Sequence, residues 1–225
     1  MEAVFLGMND AGEEVYEWLN EREDVEVLAL LTEKSQLSLI RELAPDIVVS
    51  SGFRHKVPEE IIDVPEKGIV NLHPSYLPYN RGSHPYIWPL VDGTPPGVSI
   101  HFMTEKIDEG PVIDKEKVEA RPQDTSKSLR KRLMEKQAEL FKENWERIRE
   151  GPKADEQMDN MGTTHYRKEL DEFSELEMRE EKKIEDVIDK LKALSYTDEG
   201  LAYFEEDGQR FFVGIDITPE EELDH

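Results

Sequence analysis

The chain has 225 residues, enough for one or two domains around a sizeable buried core. Its net charge of −24, from 52 acidic against 28 basic residues, argues against a nucleic-acid partner, because such binding rests on Lys and Arg neutralising phosphates. The absence of cysteine excludes disulfides, thiolate catalysis and Cys-ligated metals. No apolar run reaches the roughly 20 residues a membrane span needs, and no signal segment opens the chain, so the expectation is a cytoplasmic protein with no membrane partner. The acidity itself reads as a solubility or high-salt adaptation of the surface.

In chain order, Val4-Phe5-Leu6 predicts a short buried strand ending at Gly7. Asn9 or Asp10 can cap the helix that follows, with Val15, Trp18 and Leu19 on its core face. Gly7 and Gly12 alone do not make a dinucleotide fingerprint. Val25–Leu31 is a second strand, Gln36–Ala44 a second helix, and Asp46–Ser50 a third strand that runs into Ser51-Gly52-Phe53-Arg54. This alternation up to His73 predicts an α/β fold with a doubly wound, mostly parallel sheet.

The apolar run Gly68-Ile69-Val70 leads into Asn71-Leu72-His73-Pro74-Ser75. Side chains two apart on a strand share a face, so Asn71 and His73 point the same way where Pro74 ends the strand. Between Arg81 and Val91 a loop precedes a short helix whose limits Pro85 and Pro89 blur. Asp92–Gly97 is turn chemistry before a strand at Val98–Met103. Asp108 then sits in a Gly/Pro-punctuated loop, Ile107-Asp108-Glu109-Gly110-Pro111, before another strand that begins near Val112-Ile113. An amide, an imidazole and a carboxylate at adjacent strand ends would form a polar cluster at the usual ligand edge of such a sheet.

Asp124, Thr125 or Ser126 caps a long helix carrying Leu129, Leu133, Leu140, Phe141, Trp145 and Ile148, stopped by Gly151-Pro152. A catalytic domain over 1–151 is therefore expected, with an acidic extension over 152–225. Residues 151–225 carry nine Lys and Arg against 23 Asp and Glu. Within the extension, Glu180–Ala193 reads as a helix, and Leu201–Phe204 with Arg210–Val213 as a hairpin turning at Asp207-Gly208. A lone hairpin is marginal in water, so this one packs on the first domain or on another subunit; a homodimer is expected.

Taken as lone strand-end or loop residues, His55, His84 and His101 read as structural. A zinc site built from His73, His101 and Asp108 is the lesser reading, because the i, i+4 histidine spacing of a zincin is missing; no metal is expected. Asn71–Ser75, Leu77-Pro78, Arg81-Gly82, Gly97–His101 and Asp108–Ile113 follow one another at spacings that resemble the folate-dependent formyltransferase family. Glycinamide ribonucleotide and methionyl-tRNA formyltransferases belong to it. The block Asn71–Trp88, the segment near Thr163-Thr164-His165 and the late hairpin look most like the sugar N-formyltransferases. The resemblance implies a Rossmann-like formyltransferase sheet with a small C-terminal helix-plus-hairpin extension. It also implies 10-formyltetrahydrofolate as co-substrate, or a methanopterin analogue in a host that uses that carrier, and a nucleotide-linked amino sugar as acceptor.

By that resemblance Asn71, His73 and Asp108 are catalytic. Asn71 and a protonated His73 donate to the oxyanion as an amine attacks the formyl carbon, while Asp108 orients His73, raises its pKa and aids proton transfer. Phe53, Arg54, His55, Lys56, Val57 and Gly110 line the pterin side. Lys56 departs from the apolar residue usual in relatives, so either its stem packs with the ammonium in water or the pocket is altered. Tyr79, Arg81, Gly82, Ser83 and His165 belong to the acceptor side. The competing readings are transfer to methionyl-tRNA or glycinamide ribonucleotide, hydrolysis of the formyl folate, and a catalytically silent assembly protein of the same fold. The acidic tail disfavours tRNA, and Gly7-Met8-Asn9-Asp10 lacks an evident phosphate cradle for the ribonucleotide.

Overall fold

A computed structural model describes residues 1–151, 153–157, 161–197 and 200–223. The first half alternates strand and helix: β1 (Glu2–Leu6), α1 (Asp10–Asn20), β2 (Glu26–Leu31), α2 (Leu39–Leu43), β3 (Ile47–Ser51), α3 (Glu59–Ile62) and β4 (Ile69–His73). Then come β5 (Arg81–Gly82), α4 (Pro89–Asp92), β6 (Gly97–Phe102), β7 (Val112–Lys117) and the long α5 (Ser126–Glu150). The remainder holds β8 (Thr164–His165), α6 (Arg167–Phe173), α7 (Ile184–Leu194), β9 (Ala202–Glu206) and β10 (Gln209–Val213).

Six strands form the central sheet in the order β2-β1-β3-β4-β6-β7. The first four pair in parallel, and β6 and β7 are antiparallel to their neighbours. The expected mostly parallel sheet is thus present; its direction reverses after β4, at the turn chemistry of residues 92–96. Strands buried on both faces explain the near-continuous apolar runs of β1 and β3. One face packs Phe5, Val49, Val70 and Leu72 against α1 and α5. The other packs Val4, Leu6, Val48 and Ile69 against Ile40, Val57 and Ile61.

Asn9 caps α1, its side chain accepting the Gly12 N–H at 2.8 Å. Thr125 caps α5 in a reciprocal capping box with Ser128, and Gly151 ends it in the left-handed region at φ +84°. Pro152, the other half of the expected stop, lies outside the described residues. On the buried face of α5, Phe141 and Trp145 meet Trp18 of α1 edge-on at 6.3 and 6.0 Å. The second helix is shorter than its sequence pattern: a 3₁₀ turn over Lys34–Gln36 precedes α2, and Ala44 at φ +44° closes it. Helix α7 begins four residues after the predicted Glu180, and the apolar pattern does not show the short helices α3 and α6. The hairpin β9-β10 forms as expected, Asp207 and Gly208 at φ +51° and +76° supplying its turn.

Candidate active site

Strand register explains which polar groups meet. Ser50, Asn71 and His101 are direct partners across β3, β4 and β6, so their side chains line up on one face of the sheet. His73, two residues beyond Asn71, lies on that face at the strand's end. Asp108 comes from the loop between β6 and β7. Its carboxylate Oδ2 is 3.6 Å from His73 Nδ1, and Oδ1 is 3.5 Å from His101 Nε2. Both distances suit an ion pair and exceed a hydrogen bond. The structure therefore brings Asn71, His73 and Asp108 together and adds His101, which sequence reasoning placed outside the site. One His101 nitrogen makes the expected structural bond, Nδ1 to the Phe102 carbonyl at 2.9 Å. In the neutral ring this puts the proton on Nδ1, so Nε2 accepts from Asn71 Nδ2 at 3.1 Å. That tautomer orients the Asn71 amide with its second N–H left over, whereas the doubly protonated ring pairs with Asp108 instead.

His73 Nε2 faces the Asn80 carbonyl at 3.2 Å while Nδ1 faces Asp108. Two acceptors favour the imidazolium; burial favours the neutral ring. Burial wins, helped by His101, and the His73 pKa lies below its ordinary 6.5 despite the opposing pull of Asp108. The upward influence expected of Asp108 is present but outweighed, because the residue is only 5% exposed. Burial pushes the Asp108 carboxyl up, but His73, His101 and the Gly82 N–H, donating to Oδ2 at 2.8 Å, hold it well below the usual carboxylate range. Asp108 is thus a fixed negative charge beside an imidazole that can change state.

The loops are held tightly. Asp108 itself has φ +52° and Asn80 φ +56°. A Cβ on Gly110 would sit 1.8 Å from the Phe102 carbonyl oxygen, so only glycine fits there. Asn80 is buried; its N–H donates to Thr163 Oγ1 at 2.8 Å and its amide donates to Thr94 Oγ1 at 2.9 Å.

On the expected pterin side, Val57 is buried and Phe53 half-buried, with His55 edge-on to Phe53 at 5.4 Å. Arg54, His55 and Lys56 are exposed, so Lys56 carries its ammonium in water. Ser50 presents a buried hydroxyl on the Asn71 face with no hydrogen-bond partner among the described residues. On the expected acceptor side, Tyr79, Gly82 and Ser83 are half-buried, and Gly82 reaches the trio through its N–H to Asp108. Arg81 is buried and committed to Gln157 Oε1 at 3.1 and 2.8 Å. His165 does not join the trio. It stacks on Trp88 at 4.0 Å, with Asp92 and Glu169 carboxylates 3.2 and 3.0 Å from its two nitrogens. His84, at φ +53°, bonds the Tyr86 hydroxyl at 2.9 Å. Burial, then the charges of Arg167 and Arg54, push its pKa down. Among the described residues no group of three His, Asp or Glu has metal-holding geometry, and no helix is long and apolar enough to cross a membrane.

The formyl transferase family pattern matches residues 18–144, more than half of the chain, and an N-formyltransferase dimerization C-terminal domain matches residues 169–219. The chain belongs to the formyltransferase family. Among relatives of this formyltransferase is the dTDP-4-amino-4,6-dideoxyglucose formyltransferase of Mycobacterium tuberculosis, 30% identical over 178 residues, which are 78% of this chain and 74% of the relative. The formyltransferase PseJ from Anoxybacillus kamchatkensis, solved with UDP-4,6-dideoxy-4-formamido-L-AltNAc and tetrahydrofolate, superposes with a TM-score of 0.68 at 26% identity over 76% of this chain and 89% of that one. A 4-N formyltransferase from Francisella tularensis shares the fold along almost its whole length, with a TM-score of 0.85 at 22% identity over 97% and 98% of the two chains.

Proposed function

We propose that this formyltransferase moves the formyl group of 10-formyltetrahydrofolate to the amine of a nucleotide-linked amino sugar. The observation that carries the reading is the convergence of Asn71, His73 and Asp108 at the carboxyl edge of β4, with His101 fixing the Asn71 amide. The neutral amine attacks the formyl carbon, and the carbonyl electrons move onto oxygen. The free N–H of Asn71 donates to that oxyanion, a contribution of about 3–4 kcal/mol for one good donor. Growing negative charge favours the imidazolium of His73, whose two acceptors already oppose its burial. As the intermediate collapses, the bond to the folate N10 breaks, the amine loses a proton and N10 gains one. Asp108 stays ionised throughout and holds the cation opposite the oxyanion.

The folate fits this edge. Phe53 and Val57 offer an apolar wall, and the orphaned Ser50 hydroxyl is a polar partner for a pterin on the Asn71 face. Toward the acceptor side, Arg167 and, from the loop given to the pterin, Arg54 both act on His84 and have no side-chain hydrogen bond or ion pair among the described residues, although acids outnumber bases almost two to one. Their charges meet at His84, two residues from Gly82, and suit the diphosphate of a nucleotide-linked sugar. The named activity of the mycobacterial relative and the nucleotide-sugar complex of PseJ support the same class. The exposed β10 aromatics and the matched dimerization domain support a homodimer.

Incubation with 10-formyltetrahydrofolate and a panel of amino-sugar nucleotides tests this, with folate release and product mass followed together. Formylated sugar nucleotide with stoichiometric tetrahydrofolate is expected. Folate release without an acceptor would make the protein a hydrolase, and no turnover with any acceptor would overturn the reading.

A further inference from the structure

We propose that Gln157 is a positioning residue for Asp108, which makes the segment leading into the C-terminal extension part of the catalytic machinery. This rests on the reading of Asp108 as a catalytic residue. A primary amide has two N–H donors and an oxygen with two lone pairs, and Gln157 uses all of them. Nε2 donates to the Asp108 carbonyl at 2.9 Å and to the Gly110 carbonyl at 2.8 Å. Oε1 accepts from Arg81 Nε at 3.1 Å and Nη2 at 2.8 Å.

These partners bracket the carboxylate. Asp108 sits at φ +52°, a region that costs a non-glycine residue energy and persists only where the surroundings over-determine it. On one side the loop is pressed against Phe102, where Gly110 leaves no room for a Cβ. On the other, Gln157 holds the carbonyls of Asp108 and Gly110. The backbone donor to the carboxylate is the Gly82 N–H, at 2.8 Å from Oδ2, and Gly82 follows Arg81, whose guanidinium ends on the same amide. One side chain thus ties the main chain of Asp108 to the strand that carries its hydrogen-bond donor.

The segment delivering Gln157 is itself anchored. Asp155, two residues before it, exchanges both backbone hydrogen bonds with Val112 at 2.8 Å. Beyond it, Thr163 Oγ1 holds Asn80, and Thr164 and His165 pair in parallel with Arg81 and Gly82. A role confined to docking the extension would need only the bond to Arg81. Docking is also carried by Asp155, Thr163, Thr164 and His165, so what the two donors from Gln157 add is a hold on the Asp108 loop itself.

Gln157→Glu tests that hold. The carboxylate keeps Arg81, with a charge-assisted bond, and loses both donors to the loop. The expected outcome is a modest loss of thermal stability, because a carboxylate oxygen then faces the Asp108 and Gly110 carbonyls, a fall in kcat of about 10- to 100-fold, little change in either KM, and faster amide exchange at residues 104–112 with the hairpin unaffected. Gln157→Ala should lower kcat similarly and lower stability further. In an Asp108→Asn background, Gln157→Glu should add almost nothing, because the two changes act through one group. Wild-type kcat and loop protection in Gln157→Glu, or losses that multiply independently of Asp108→Asn, would overturn the assignment. Absence of turnover by the unaltered protein would instead overturn the functional reading beneath it, while the exchange measurement would still decide whether Gln157 holds the loop.

Discussion

At the carboxyl edge of the sheet, groups that water normally claims are buried: Asn71, His73 and His101 are 8%, 5% and 1% exposed. At the hairpin the reverse holds. Phe211 and Phe212 are 40% and 57% exposed, and Phe211 stacks on Phe204 at 5.3 Å as one wall of an aromatic ridge. Buried polar groups and exposed large apolar ones are the informative departures from ordinary burial. The first costs stability and is held by partners on every side, including strained loops. The second costs solubility and is relieved only by another surface. Under the proposed function the two departures take different jobs, chemistry at the edge and self-association at the hairpin, with the segment that carries Gln157 and Thr163 packed against the edge.

The comparison breaks most visibly if the edge is stripped of its chemistry. Asn71→Ala or His73→Ala should lower kcat by about 10²–10⁴-fold with a native-like unfolding transition, as steady-state kinetics beside calorimetry would show. Full activity in either variant would remove the edge from catalysis. A backbone change should come next: Gly110→Ala pushes a methyl group into the Phe102 carbonyl and should cost about 10²-fold in kcat by displacing Asp108. Phe211→Asp with Phe212→Asp should convert a dimer to monomer in sedimentation while leaving the monomer's fold intact. A wild type that already sediments as a monomer would contradict the role given to the hairpin.

The smallest effect is the pH dependence of stability. His73 and His84 are both held below 6.5 in the fold, so between their folded values and 6.5 the unfolded chain binds more protons. Their contribution is complete above 6.5 and is lost as pH falls through the folded values. Asp108, held low, adds a loss of the same sign in more acidic solution. Melting temperatures should therefore drop from pH 7.5 to pH 5.5, and His73→Asn should make that drop shallower. An unchanged slope would mean that the buried imidazole is not the group being titrated.

The strands up to His73, the caps of α1 and α5, and the hairpin turn were legible because each follows from spacing or side-chain chemistry within a few residues. Helices α3 and α6 were not, because a single turn or two carries too little periodicity to stand out from loop. His101 could be noticed as a histidine on a strand but not as the partner of Asn71, since that depends on how β4 and β6 align. The turn chemistry at residues 92–96 signals a reversal before β6, but the register that sets His101 opposite Asn71 is tertiary.

Local sequence determined that Asn71 and His73 share a face, that Pro74 ends their strand, and that Asp108 lies in a turn next to a strand. A two-residue period and the covalent limits of proline are enough for that. Tertiary structure alone decided which way the Asn71 amide points, that burial outweighs Asp108 in setting the His73 charge, and that Gln157 reaches the Asp108 loop. Each of these depends on groups far apart in the chain, whose distances and shielding from water exist only once the sheet and the extension have packed together.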